Sequence, residues 1–249
     1  MDNLQMLLEK EKLKKIFRYL LWQYYRIRKL RSVLLENDGF NLVLPISSGS
    51  ASVVFTFGRT EPMVAKEMQK SLRRGGVFVD VGAHVGEFTF LARKIVGEYG
   101  QIFSFEPDPR VFWALEESIK MNKFKNVVAE KKIVSDQNKN IFFLLKRELS
   151  HSSIFYGKAK GKKIKSSSIS LDKYFGNKKV DLIKIDVEGA ELRVMHGAVK
   201  VIGNCHPTLI FEFGHYKRFG YELDDIIRFL QPLGYSRFYK IDDNNMVAK

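Results

Sequence analysis

The chain has 249 residues, 45% of them apolar and 28% charged, with a formal net charge of +14. That apolar share excludes a disordered tail, and a chain of this length buries roughly 70% or more of its unfolded surface, commonly as a single α/β domain at about 250 residues. One cysteine, Cys205, excludes an internal disulfide, no Cys/His group has zinc-ligand spacing, and neither a run of ~18 apolar residues nor a signal-peptide core is present, so a cytoplasmic protein is expected.

From Met1 to Leu35, nine Lys and Arg stand against three Asp and Glu. Leu13, Ile16, Phe17, Leu20, Leu21, Tyr24, Ile27 and Leu30 recur every three or four residues among them, which predicts a basic amphipathic helix. Two uses are open to it: packing on the body of the protein or on a second subunit as a homodimer, or peripheral contact with an anionic membrane. Asn41–Ile46 and Ser52–Phe57 are β-rich runs separated by Ser47–Ser50, which predicts a hairpin. Val64, Met68 and Leu72 return to helical spacing. Residues 1–60 are thus expected as a helix-and-hairpin extension and residues 61–249 as the main domain.

Beyond Gly75-Gly76, short apolar runs alternate with helical stretches. Strands are expected at Val77–Val81, Gln101–Phe105, Asn126–Val134, Val180–Val187 and Thr208–Phe213, and helices at Phe88–Val96, Arg110–Met121, Ala190–Val201 and Leu223–Leu230. That alternation is the pattern of an α/β fold, a mostly parallel sheet with helices on both faces. Between Ile141 and Phe175 the sequence becomes strand-like and rich in Ser and Lys, as in a β insertion or loop. Tyr156–Lys179 holds eight Lys and Arg against one acid, and its lysines lie beside Phe155 and Tyr156. A nucleic-acid partner is therefore a second reading, since basic patches bind phosphates by releasing counterions.

Ligands of open α/β sheets bind beyond the carboxyl ends of the strands. The first such end is Asp80-Val-Gly82-Ala83-His84-Val-Gly86, a strand entering a glycine turn and then a helix. Glu106, followed by Pro107, ends the next strand, where a carboxylate can accept hydrogen bonds from ribose hydroxyls. An aspartate just before the first glycine would repel a pyrophosphate and attract a cation. S-adenosylmethionine, a nucleoside bearing a sulfonium and an ammonium, suits that charge better than a dinucleotide does. Farther on, Lys184, Asp186, Glu188 and Glu191 crowd another strand end, and Glu212 and His215 follow the next. Charges in such apolar strands are often functional, the alternative being a self-satisfied ion network.

The ordered blocks FVDVGAHVGEFTF at Phe78–Phe90, FEPDP at Phe105–Pro109, IVSD at Ile133–Asp136, SISLD at Ser168–Asp172 and KIDVEGAE at Lys184–Glu191 resemble the FkbM-type methyltransferases, class I S-adenosylmethionine-dependent enzymes acting largely on oxygen. The resemblance implies a Rossmann-like sheet of seven strands within residues 61–249. It places Asp80, Gly82 and Gly86 at the methionine end of the cofactor, Glu106 at the ribose, and Asp136, with Ser135 beside it, at the adenine amino group. Asp186 and Glu188 fall in the block that faces the substrate. His84 stands where asparagine is usual, so it is read as a backbone-bonded turn residue.

Methyl transfer needs near-attack geometry, and a hydroxyl acceptor needs a base or a metal that lowers its pKa. Asp186 is the first candidate, with Glu188, Glu212, Lys184 and His215 next, and a divalent metal bridging Asp186 and Glu212 is a further reading. His151 is a surface histidine on this reading. The expected acceptor is a small-molecule, glycan or lipid-linked hydroxyl.

Overall fold

The computed structural model describes residues 3–145, 153–154, 162–215 and 219–249. His151 and the lysines at 158 and 160 lie outside them. The chain opens with helix α1 (Asn3–Ile27), followed by the hairpin β1 (Ser32–Asn37) and β2 (Phe40–Pro45). This hairpin lies one strand earlier than the sequence pattern suggests. Its two-residue turn is Asp38-Gly39, both at positive φ (55° and 85°), the backbone that a tight turn between twisted strands requires. The β-branched run after it is helix α2 (Gly49–Phe57) instead: Ser48 caps it by accepting from the Ala51 N–H at 3.1 Å, and Gly58 in the left-handed region ends it. Two capping residues here outweigh the strand preference of Val53 and Val54.

Next come α3 (Pro62–Ser71), β3 (Val77–Val81), α4 (Glu87–Val96), β4 (Gln101–Phe105), α5 (Pro109–Met121) and β5 (Val127–Glu130). The strand expected across Asn126–Val134 is broken at Lys131-Lys132, and its second half, β6 (Ile133–Val134), joins another sheet. The insertion supplies β7 (Asn140–Leu145), β8 (Ser153–Ile154) and β9 (Lys162–Ile169), then α6 (Leu171–Phe175). The C-terminal part runs β10 (Leu182–Ile185), α7 (Glu191–His196), α8 (Val199–Cys205), β11 (Thr208–Glu212), α9 (Leu223–Leu230), β12 (Phe238–Lys240) and β13 (Asn245–Ala248). The single helix expected over Ala190–Val201 is divided at Gly197, where an added Cβ would sit 2.2 Å from the Ser135 carbonyl oxygen.

Seven strands form the main sheet in the order β12-β13-β11-β10-β3-β4-β5. The five from β11 to β5 are parallel, and β13 and β12 add antiparallel pairs at one edge. Alternation of side chains divides the core in two. Val79, Val81, Phe103, Ile183, Ile185, Leu209 and Phe211 face α6 to α9, while Phe78, Ile102, Leu182 and Ile210 face α3 and α4. Helices thus cover both faces of the sheet. A smaller sheet, β6-β9-β7-β8, stands beside it. The hairpin and α2 pack Leu42, Leu44, Val54 and Phe55 against Val85, Phe90, Val111 and Leu115. Among the described side chains of α1, Leu21, Trp22 and Tyr25 join them, with Trp22 fully buried against Phe55 (5.3 Å between ring centroids). No described helix is long and apolar enough to cross a membrane.

Candidate active site

The carboxyl ends of β3, β4, β10 and β11 open into one cavity of about 320 Å³, within the size range of small-molecule sites. The β3 turn forms its floor. Gly82 has φ 86°, and a Cβ added there would fall 1.8 Å from the Asp186 carbonyl oxygen, so the turn and the end of β10 touch through bare backbone. The amides of Gly82 and Ala83 both donate to the Phe105 carbonyl (2.9 and 3.0 Å). They are therefore committed to holding β3 against β4 and do not form an open phosphate cradle.

Glu106 is 6% exposed and receives the His84 and Asp108 backbone N–H groups, one on each carboxylate oxygen, both at 2.8 Å. Burial pushes its pKa up to about 8, against the opposing pull of those two amides. His84 (φ 50°) thus fixes Glu106 through its backbone, as the turn reading anticipates, while its Nε2 lies 3.3 Å from the Ser48 hydroxyl. Burial holds the ring down to about 4, hence neutral.

Lys184, buried in β10, donates to Asp186 Oδ2 at 3.0 Å and lies 4.8 Å from the centroid of the Phe88 ring. Burial alone would lower its pKa, but Asp186, Glu61 and Asp80 around it hold the ammonium above its ordinary range. Beyond Asp186, the chain turns through Glu188 (φ 59°) and Gly189 (φ 105°). Glu191 ties that turn by accepting from the Val187 and Gly189 amides (3.2 and 3.0 Å), with the Tyr221 hydroxyl 3.0 Å from its other oxygen. His215 Nε2 then lies 3.5 Å from Glu188 and 3.9 Å from Glu212. Glu212 is pushed up to about 9, by burial first and then by the charges of Asp186, Glu188 and Glu191.

A family model for the methyltransferase FkbM domain matches residues 80–237, well over half of the chain. The chain belongs to the FkbM methyltransferase family. Its α/β fold is that of the class I methyltransferases. Among solved structures, an FkbM methyltransferase from Methylobacillus flagellatus superposes with a TM-score of 0.53 at 18% identity, over 80% of this chain and 54% of that one. The chain therefore spans about half the length of that relative. Fibrillarin from Aeropyrum pernix, with natively bound S-adenosyl-L-methionine, gives 0.48 at 13% identity over 88% and 82%. A SAM-dependent methyltransferase from Aquifex aeolicus gives 0.45 at 15% over 75% and 86%. At 18% identity the likeness to the FkbM structure is one of fold. No curated protein matches the chain.

Of the residues expected at an FkbM site, Gly82, Ala83, His84, Glu106, Pro107, Lys184, Asp186, Glu188 and Glu212 line the cavity. Four do not. Asp80 is 1% exposed and lies beneath the turn, accepting from the Thr89 hydroxyl at 2.7 Å, because its strand position points it toward α4. Gly86 caps α4 under Leu115 and Phe90. Ser135 donates to Asp136 at 2.8 Å, and Asp136 faces Arg193 (3.5 Å) on the flank of α7. The break at Lys131-Lys132 instead brings Lys132, Ile133 and Val134 to the cavity wall. The donor atoms of Glu188, Glu212 and His215 lie within 4.8 Å of one another, so among the described residues the carboxylate–imidazole group includes His215 and Glu188 rather than the expected Asp186–Glu212 pair.

Sequence reasoning assigned no role to Thr60, Glu61, Glu87, Lys132 or Phe143, which also line the cavity. Glu87, bonded to the Thr60 amide and hydroxyl, is pushed by burial up to about 7. Glu61 accepts from Asn245 at 2.7 Å, and burial raises its pKa too. Their only signal was acidity near a helix start, which capping explains equally well.

Proposed function

We propose that this cavity holds S-adenosylmethionine, with its nucleoside toward Glu106, Pro107, Ile133 and Val134 and its charged end toward Gly82 and Asp186. The observation that carries the assignment is the carboxyl lining: among the described residues, Glu61, Glu87, Glu106, Asp186, Glu188 and Glu212 line the cavity beside Lys132 and Lys184. Burial holds Glu106 and Glu212 largely as carboxylic acids at neutral pH; a sulfonium and an ammonium beside them would favour their ionised forms, whereas a pyrophosphate would oppose them. The commitment of the Gly82 and Ala83 amides to Phe105 points the same way.

When bound, the cofactor supplies a methyl group on a sulfonium. The residues beyond Asp186 do the rest. Asp186, one-third exposed and held on one oxygen by Lys184, takes the proton of an acceptor hydroxyl as that oxygen forms its bond to carbon and the carbon–sulfur bond breaks. Glu212, with its pKa raised to about 9, is protonated at neutral pH and serves as a hydrogen-bond donor to the acceptor, not as the base. Glu188 borders the same space, with His215 Nε2 3.5 Å from its carboxylate. The acceptor is the hydroxyl of a small molecule, a glycan or a lipid-linked sugar, since an acidic wall disfavours a phosphate-rich strand.

Label transfer from S-adenosyl-[methyl-³H]methionine to fractionated cell extract tests this reading. Label should enter a small-molecule or lipid fraction as a base-stable ether, and Asp186→Asn should lower the rate by about 10²–10⁴. Label confined to RNA, or full activity in Asp186→Asn, would overturn the acceptor class or the base respectively.

A further inference from the structure

Helix α1 has two faces. Leu21, Trp22 and Tyr25 seat its end on α2 and the hairpin. Turned away from them, Leu13, Ile16, Phe17, Leu20, Tyr24 and Ile27 recur at spacings of three and four and form one stripe, each 48–77% exposed. No described residue covers it. Scattered apolar side chains on a surface are ordinary, but a continuous stripe along four turns marks an interaction site. Lys10 and Lys14 flank the stripe on one side and Lys12 and Arg26 on the other.

We propose that α1 docks the protein flat on an anionic lipid bilayer, with the stripe in the interfacial zone and the flanking cations on lipid headgroups. Charge and pattern select this occupant. Residues 1–35 carry nine Lys and Arg against three acids, so a second copy laid along the stripe would set two strongly basic helices side by side. A nucleic acid would engage the cations and leave the stripe in water. An acidic leaflet satisfies both parts at once, and Tyr19 and Tyr24, exposed at the edge of the stripe, suit the headgroup level. The helix is too polar to span, so it lies on the surface.

The same helix lies next to the cavity, because α2 packs on α1 through Phe55 and lines the cavity through Ser50 and Val54. Docking therefore holds the cavity about one helix diameter, ~10 Å, from the helix that touches lipid, a placement that favours a lipid-linked acceptor among the classes proposed above. The docking itself does not rest on the methyl-transfer reading, and its test needs no activity.

The experiment is vesicle flotation of the full-length chain with phosphatidylcholine alone or with phosphatidylglycerol added, alongside sedimentation without lipid. Two variants accompany it: Leu13→Ser/Phe17→Ser/Leu20→Ser in the exposed stripe, and Lys10→Glu/Lys12→Glu/Lys14→Glu on its flanks. Circular dichroism and the thermal midpoint confirm that both remain folded. The wild-type chain should float with the anionic vesicles only, less so as salt rises, and each variant should lose about tenfold or more of that binding. Absence of flotation, equal flotation with neutral lipid, or a dimer that the serine variant dissociates would each overturn the proposal, the last by identifying a second copy as the occupant.

Discussion

The buried ammonium of Lys184 donates to Asp186 at 3.0 Å, and strand register sets the same lysine directly beside Asp80 on β3. One cation thus compensates Asp80, Asp186 and Glu61. Removing one partner of a buried charge group costs far more than the net worth of the group, because the other charges stay buried and unpaired. Lys184→Met should therefore lower the unfolding free energy by about 3–5 kcal/mol. Urea denaturation measures this, and an unchanged midpoint would show that Lys184 does not hold these acids.

Gly82 permits the contact between the β3 turn and β10. An alanine there places its Cβ 1.8 Å from a backbone oxygen that no side-chain rotation can move, at a φ of 86°. Gly82→Ala should displace Asp186, weakening cofactor affinity by at least about tenfold and lowering the thermal midpoint. Gly176→Ala, at φ 57° with nothing within 4 Å of the added carbon, provides the control for backbone strain alone. Equal affinity in the two variants would remove the argument from contact.

Stability should fall as pH rises toward 9. Glu106, Glu87, Glu191 and Glu212 all have folded pKa values raised above the ordinary carboxylate value, to about 8, 7, 7 and 9. Between about pH 4.5 and those values the folded chain binds more protons than the unfolded chain, so the stabilisation present at low pH is lost as pH increases through the folded pKa values. Raising the pH from 6 to 9 should lower the thermal midpoint by several degrees, at roughly 2–4 °C per kcal/mol for a chain of this size. Glu212→Gln should flatten the upper part of that slope. A midpoint that rises over the same interval would contradict the burial of these groups as carboxylic acids.

Where a short apolar run follows a glycine, the sequence alone located the strand: Val77–Val81 and Gln101–Phe105 are the bounds of β3 and β4, and the helical spacing of Leu223–Leu230 gives the bounds of α9. It failed where one capping residue or one glycine overrode a longer pattern, at Ser48 before α2, at Asp38-Gly39 and at Gly197. Within the site, residues directly at a strand end, such as Gly82, Glu106 and Asp186, were legible because topology alone sends them to the cavity. Asp80 was misplaced because a two-residue repeat decides the face of the sheet and not what lies above it. Glu61 and Glu87 reach the cavity from helix starts, and only tertiary packing sets their direction.

The cavity around Glu106 and Asp186 is proposed to hold S-adenosylmethionine. Calorimetric titration of the purified chain with the cofactor tests it most directly. Binding should be saturable at one site and lost in Glu106→Ala while that variant keeps a cooperative thermal transition. Absence of binding heat at several temperatures with folded wild-type protein, or undiminished affinity in Glu106→Ala, would contradict it.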